Sequence, residues 1–212
     1  MQPRNNKLLI GITGGIASGK TLSANILEKF NLKVIYSDII GHQVMEKEII
    51  IRKLKDEFDG KIFSSGKINR KALGKIVFND ESQLKKLNKI VHPEIYKDLD
   101  ELVEKTDQNK IFIEIPLLFE NKLENRFDLI IDIFADPKTQ IIRLKKRNNI
   151  SKTEALKIID KQMPNQIKSA KSQITIVNNH ETTIKTIENK LRIVLDLLKL
   201  FKPRKKLRFQ TQ

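Results

Sequence analysis

Apolar residues in this chain come in two rhythms that alternate along its length. Leu8-Leu9-Ile10-Gly11-Ile12-Thr13 is a short continuous apolar run ending in glycines, the signature of a buried strand. From Lys20 to Phe30 the apolar residues Leu22, Ile26, Leu27 and Phe30 fall at helical spacing. Further strand-like runs are Val34–Ser37, Lys110–Ile115 (stopped by Pro116), Leu129–Phe134 and Ile174–Asn178. They are rich in Ile and Val without strict alternation, as suits a parallel sheet covered on both faces. Helical segments separate them. The pattern predicts an α/β fold: a doubly wound, five-stranded parallel sheet.

Two intervals exceed what simple crossovers need. Residues 39–109 lie between the second and third strands, where about a dozen would do. Helical patterns run over Gln43–Phe58, Arg70–Phe78, Glu81–Val91 and Pro93–Lys105. His92-Pro93 is expected to end one helix and start the next, because the residue before proline avoids the helical region. This interval reads as a helical substrate-binding insertion. Between the fourth and fifth strands, 137–173 form a strongly basic helical stretch that includes Arg143, Lys145, Lys146, Arg147, Lys168 and Lys171. No internal repeat is visible.

Chemistry enters at the first loop. Gly14, Gly19, Lys20 and Thr21 satisfy G-x-x-x-x-G-K-[ST], after a predicted strand and before a predicted helix. Such a loop points backbone N–H groups inward at a helix N-terminus and cradles phosphate. Lys20 then reaches the β- and γ-phosphates of ATP, and the Thr21 hydroxyl is placed to ligate Mg2+. The loop alone does not separate kinase from ATPase or GTPase. No N-K-x-D-like guanine-reading segment is present. Asp132 is either a magnesium carboxylate or a polar residue near a strand end. Asp38 lies past the carboxyl end of the second strand, the edge where open α/β sheets bind ligands. It can take or orient the proton of an attacking hydroxyl, or cap the helix from Ile39 onward.

Composition narrows the partners. The net charge is +15, which suits an anionic partner. A chain rich in Lys, Ile and Asn also acquires such a charge without a function. With no Trp and two Tyr the chain is poor material for base stacking, so nucleic acid is not the expected partner. The absence of cysteine excludes disulfides, thiolate metal sites and a cysteine nucleophile, and fits a reducing compartment. Met1–Asn6 carry no apolar signal region, and no segment approaches the ~18 apolar residues of a membrane span. The expectation is a cytoplasmic protein without a membrane partner, monomeric or weakly homo-oligomeric. The tail 202–212 is basic and expected to fray.

Together the motifs resemble the dephospho-coenzyme A kinases. The resemblance spans about Leu8 to Leu200 and rests on several segments in order. They are Gly11–Thr21, Tyr36-Ser37-Asp38-Ile39-Ile40, Asn69–Leu73, Leu87–Ile95 with His92-Pro93, Pro116-Leu117-Leu118-Phe119-Glu120, Gln140–Arg147, Gln162 with Lys168-Ser169-Ala170, and Ile176–Asn179. It implies ATP-dependent phosphorylation of the ribose 3′-hydroxyl of dephospho-coenzyme A, the last step of coenzyme A synthesis. It also implies three parts: a nucleotide-binding core (1–38, 110–142, 172–201), a coenzyme-binding insertion (39–109) and a lid (143–171). By the same resemblance, ATP is expected to be held by Gly14, Gly15, Ile16, Ala17, Ser18, Gly19, Lys20, Thr21 and Leu22, with Arg143 and Asn178, and Mg2+ by Thr21. Asp38 matches the family's catalytic carboxylate and is expected to be assisted by Lys20 and Arg147. Asp38, Arg70, His92, Pro93, Leu118 and Glu120 are expected to face the substrate.

The individual residues keep alternatives. Arg70 either pairs with a substrate phosphate through its planar fork or is solvated. His92 either meets substrate or caps a helix junction. Glu120 either orders the loop after Pro116 or contacts substrate. Arg143 and Arg147 share a helical face, and Arg147 is the expected lid arginine closing over the phosphates. Asn178 and Asn179 either approach the adenine or are strand-end polar residues. The chain departs from the family at Tyr36, where an acid is usual, and at Ala17, where glycine is usual. Alanine is expected to be tolerated there only at negative φ.

Overall fold

The computed structural model describes residues 7–58, 62–64, 67–77 and 80–203. They divide into two compact units: one comprises the described residues up to Ile35 and from Thr106 onward, the other Tyr36–Lys105.

The first unit is built on a five-stranded sheet. Its strands are β1 (Leu8–Thr13), β2 (Lys33–Tyr36), β5 (Lys110–Glu114), β6 (Leu129–Phe134) and β7 (Ile174–Val177), in the order β2-β5-β1-β6-β7. All five run parallel. Helices α1 (Lys20–Lys29), α6 (Pro137–Asn148), α7 (Lys152–Ile159), α8 (Asn165–Lys171) and α9 (Ile184–Leu197) flank it. The five predicted strands and the α/β class are thus observed. Every residue of β1 is buried, as a central strand covered on both faces requires. The order puts β1 where the chain switches from one half of the sheet to the other, the point at which open α/β sheets hold ligands beyond the strand ends.

Local signals set the helix starts. Asp136 accepts the Thr139 N–H at 2.6 Å and caps α6, with Pro137 in its first turn. Ser151 and Glu154 form a reciprocal capping box on α7.

The second unit holds α2 (Ser37–Val44), α3 (Glu48–Glu57), a short antiparallel hairpin of β3 (Phe63–Ser64) and β4 (Lys67–Ile68), α4 (Arg70–Val77) and α5 (Glu81–Lys105). Helices α2, α3 and α4 all pack on α5. Two expectations need correction here. The single helical pattern over Gln43–Phe58 is broken between α2 and α3. Lys47 turns extended (φ −70, ψ 133), and its ammonium binds Glu94 at 2.8 Å and Asp98 at 2.5 Å on α5. Nor does His92-Pro93 separate two helices, since α5 runs through with Pro93 inside it. Proline removes one backbone donor and crowds the preceding turn. Packing of three helices along α5, with Val91, Leu99 and Val103 buried on either side of the proline, keeps both halves in one element. The hairpin lies between the helical patterns expected over Gln43–Phe58 and Arg70–Phe78, inside the insertion expected to be helical. Phe78 and residues 204–212 of the basic tail lie outside the described residues.

Candidate active site

The phosphate loop leaves β1 after Thr13 and enters α1 at Lys20. Gly19 occupies the helix cap at φ 98, a left-handed conformation that glycine takes freely. The first turn of α1 carries no acidic side chain, so nothing there competes with a phosphate for the positive end of the helix. Lys20 is 8 % exposed and donates to the carbonyls of Gly14 at 3.1 Å and Gly15 at 3.0 Å. Its ammonium is thereby parked at the loop.

Ala17 corrects an expectation. Its φ is +57, not negative. An L-residue in the left-handed region costs roughly 1–2 kcal/mol, and such strain persists where the surroundings over-determine it. Here Arg143 Nη1 donates to the carbonyls of Ala17 and Ser18 at 3.2 Å each, and Asn178 Nδ2 to the Ser18 carbonyl at 2.7 Å. Arg143 also binds Asn178 Oδ1 at 3.2 Å and the Asn179 carbonyl at 3.4 Å. The Ile16 carbonyl is met by Gln140 Nε2 at 2.6 Å, and the Ile16 N–H by Gln162 Oε1 at 2.8 Å. Leu22 is half-buried in the first turn of α1.

On the β5 side, the Thr21 hydroxyl donates to Glu114 Oε1 at 3.2 Å. Glu114 is the last residue of β5, pairs in register with Ile12 of β1 and is buried. Sequence reasoning missed it, because nothing local says that the strand it ends lies beside β1. In phosphate-loop enzymes Mg2+ is held by the loop Ser/Thr and by an acid at a neighbouring strand end. Among the described residues no group of three or more His, Cys, Asp or Glu is gathered. Mg2+ does not need one, since it binds through one or two protein oxygens plus substrate phosphates and water. The Thr21 and Glu114 oxygens fit it.

Asp132 sits inside β6 opposite Thr13, wholly buried, and neither carboxylate oxygen has a hydrogen-bond partner. Burial pushes its carboxyl up to about 6, against the pull of Lys168 and Lys20. The Ser169 hydroxyl also favours the ionised form, but it falls short of hydrogen-bonding geometry with Asp132 and is paired with Thr175 at 2.7 Å. Asp132 is thus an interior residue of its strand. Lys168 is fully buried, bound to Glu120 at 2.8 Å and to the Pro116 carbonyl at 2.9 Å. Glu120 also accepts the Met163 N–H at 3.0 Å, so it ties the loop after β5 to α8. Leu118 is buried against Gly11 and Phe127 in the core.

Other expected site residues are placed apart from the loop or in the second unit. Arg147 is exposed in the last turn of α6 and bonds Asn148 at 3.0 Å. Asp38 is the second residue of α2 and exposed, while the helix cap falls to Tyr36, whose side chain makes no capping bond. Arg70 opens α4 and reaches Glu46 at 3.3 Å and the His42 carbonyl at 3.5 Å. His92 is half-buried within α5, with Nδ1 3.3 Å from the Tyr96 hydroxyl, and burial lowers its pKa.

A parallel sheet with this loop at its switch point defines a phosphate-loop nucleotide-binding protein. A family model described as dephospho-CoA kinase matches residues 8–183. A dephospho-CoA kinase of Lactobacillus johnsonii is 37 % identical over 191 residues, covering 88 % of this chain and 96 % of its own. Among solved structures, TT1252 from Thermus thermophilus has a TM-score of 0.83 at 30 % identity, covering 92 % of this chain and 99 % of its own. A dephospho-CoA kinase from Campylobacter jejuni gives 0.67 at 26 % identity, covering 90 % and 97 %. The chain belongs to the dephospho-CoA kinase family and is a nucleotide-binding phosphotransferase.

Proposed function

We propose that the chain transfers the γ-phosphoryl group of ATP to the ribose 3′-hydroxyl of dephospho-coenzyme A, giving coenzyme A. The observation that carries this reading is the strained, fully tethered phosphate loop, in a chain that belongs to this family. The loop N–H groups and the N-terminus of α1 receive the phosphates. Lys20 leaves the Gly14 and Gly15 carbonyls for the β- and γ-phosphate oxygens and neutralises charge as it spreads in the transition state. Thr21 and Glu114 are the residues that would hold Mg2+. When bound, Mg2+ supplies further neutralisation of the phosphate oxygens.

Asp38 is the proton acceptor for the attacking hydroxyl in this reading. It is exposed at the start of α2 and its carboxylate is not spent on capping. Arg70, His92 and Pro93 belong to the coenzyme-binding insertion of 39–109, with Arg70 facing an anionic group of the substrate. Leu118 and Glu120 hold the segment after β5 in shape on the acceptor side. Residues 143–171 act as the lid: among the described residues Arg147 makes no ion pair that would hold it from the phosphates, and lid closure excludes water from the transfer. Asn178 and Arg143 shape the nucleotide end.

The test separates binding from chemistry. Asp38→Asn is expected to bind ATP normally and to lose kcat by roughly 10²–10⁴, the usual worth of a general base. Unchanged turnover on dephospho-coenzyme A would remove Asp38 from the mechanism.

A further inference from the structure

A phosphate nest turns N–H groups toward the anion, so carbonyl groups of the same loop face the protein. Buried carbonyls need donors, and this loop finds them in side chains far away in sequence. Gln140 of α6 donates to the Ile16 carbonyl, and Gln162, from the connection between α7 and α8, accepts the Ile16 N–H. Ile16 is thus gripped by both its carbonyl and its N–H, immediately before the left-handed Ala17. The fit leaves no slack, because a Cβ on Gly15 would collide with Gln140 and Asn165. Asn165 is itself tied to the Ala135 carbonyl at 2.7 Å.

We propose that Gln140 and Gln162 are positioning residues of phosphoryl transfer: by gripping Ile16 they hold Ala17 in its left-handed conformation, and so keep the loop shaped for the triphosphate before ATP arrives. The inference rests on the reading of this loop as the ATP site. Neither glutamine touches the phosphates, and both act through the backbone of Ile16. Alanine supplies the need for such a grip. With glycine at position 17 the left-handed conformation would be freely available, whereas alanine must be held there. Gln162 also makes the loop's shape depend on the basic helical stretch that carries it.

The experiment is the dissociation constant of MgATP, measured by calorimetry on the full chain. The variants are Gln140→Met and Gln162→Met, each alone and combined with Ala17→Gly. Methionine keeps the length of the side chain and removes its amide. Each single variant is expected to weaken MgATP binding about five- to tenfold, the worth of one hydrogen bond. Ala17→Gly is expected to restore most of that loss. Wild-type affinity in the single variants overturns the proposal. So does a loss that Ala17→Gly leaves in place, since the glutamines would then serve packing alone. Gln162 is half-exposed and its variant carries the test if Gln140→Met, at a site 2 % exposed, does not fold. MgATP binding needs no acceptor, so a chain that ignores dephospho-coenzyme A would overturn the substrate assignment and leave this test standing.

Discussion

Asp132 is a carboxylic acid inside a strand, with neither solvent nor a hydrogen-bond partner. Its carboxyl is pushed up to about 6 from 3.8, so the folded protein binds this proton more tightly than the unfolded chain. The contribution of Asp132 to stability is therefore full below the unfolded value and is lost as pH rises through about 6. Asp132→Asn should be more stable than the parent near pH 8, by about 3 kcal/mol. That advantage should vanish near pH 4, and urea denaturation at the two pH values checks it. Glu114 makes a different claim at the same scale. Glu114→Gln is expected to raise the Mg2+ concentration needed for half-maximal turnover, read from a magnesium titration of the rate, because an amide is a weaker ligand than a carboxylate. What was legible at residue scale is what is local. Lys20 and Thr21 follow from spacing alone, whereas Glu114 needs the knowledge that β5 lies beside β1. Ala17 could not be read correctly either, because the side chains that hold its left-handed turn come from positions 140, 143, 162 and 178.

Among the elements, α5 departs most from its sequence pattern. Proline at position 93 predicts a boundary, yet the helix continues from Glu81 to Lys105. Helices α2, α3 and α4 packed along it outweigh the lost backbone donor. Pro93→Ala should restore that donor and raise stability by up to about 3 kcal/mol, visible as a higher thermal midpoint. If His92 and Pro93 shape the coenzyme pocket, the same variant raises KM for dephospho-coenzyme A, a stability gain bought with function. A neutral KM would assign the proline to structure alone. The five strands of the sheet were legible because each is a compact Ile- and Val-rich run between breakers. The β3–β4 hairpin was not, since strands of two residues are too short to show a period. The break before α3 depends on Lys47 reaching two carboxylates on α5, and no periodicity reports such a contact.

At the scale of the whole molecule, the α/β class and the long interruption between β2 and β5 follow from the order and lengths of the segments. The sheet order does not, because it is decided by pairings between residues a hundred positions apart. Among the described residues no helix is long and apolar enough to cross a membrane. The net charge of +15 suits the phosphate-rich substrate pair of the proposed function. Removal of the tail 202–212, of which 204–212 lie outside the described residues, is expected to leave turnover nearly intact, as a steady-state assay of the shortened chain would show. The acceptor is what sets this enzyme apart from other phosphate-loop kinases. The purified chain with ATP, Mg2+ and dephospho-coenzyme A, followed by ADP release and by identification of the product, should form coenzyme A phosphorylated at the ribose 3′ position. ATP turnover on a nucleoside or nucleotide, with no coenzyme A formed from dephospho-coenzyme A, would rule out dephospho-coenzyme A as the acceptor.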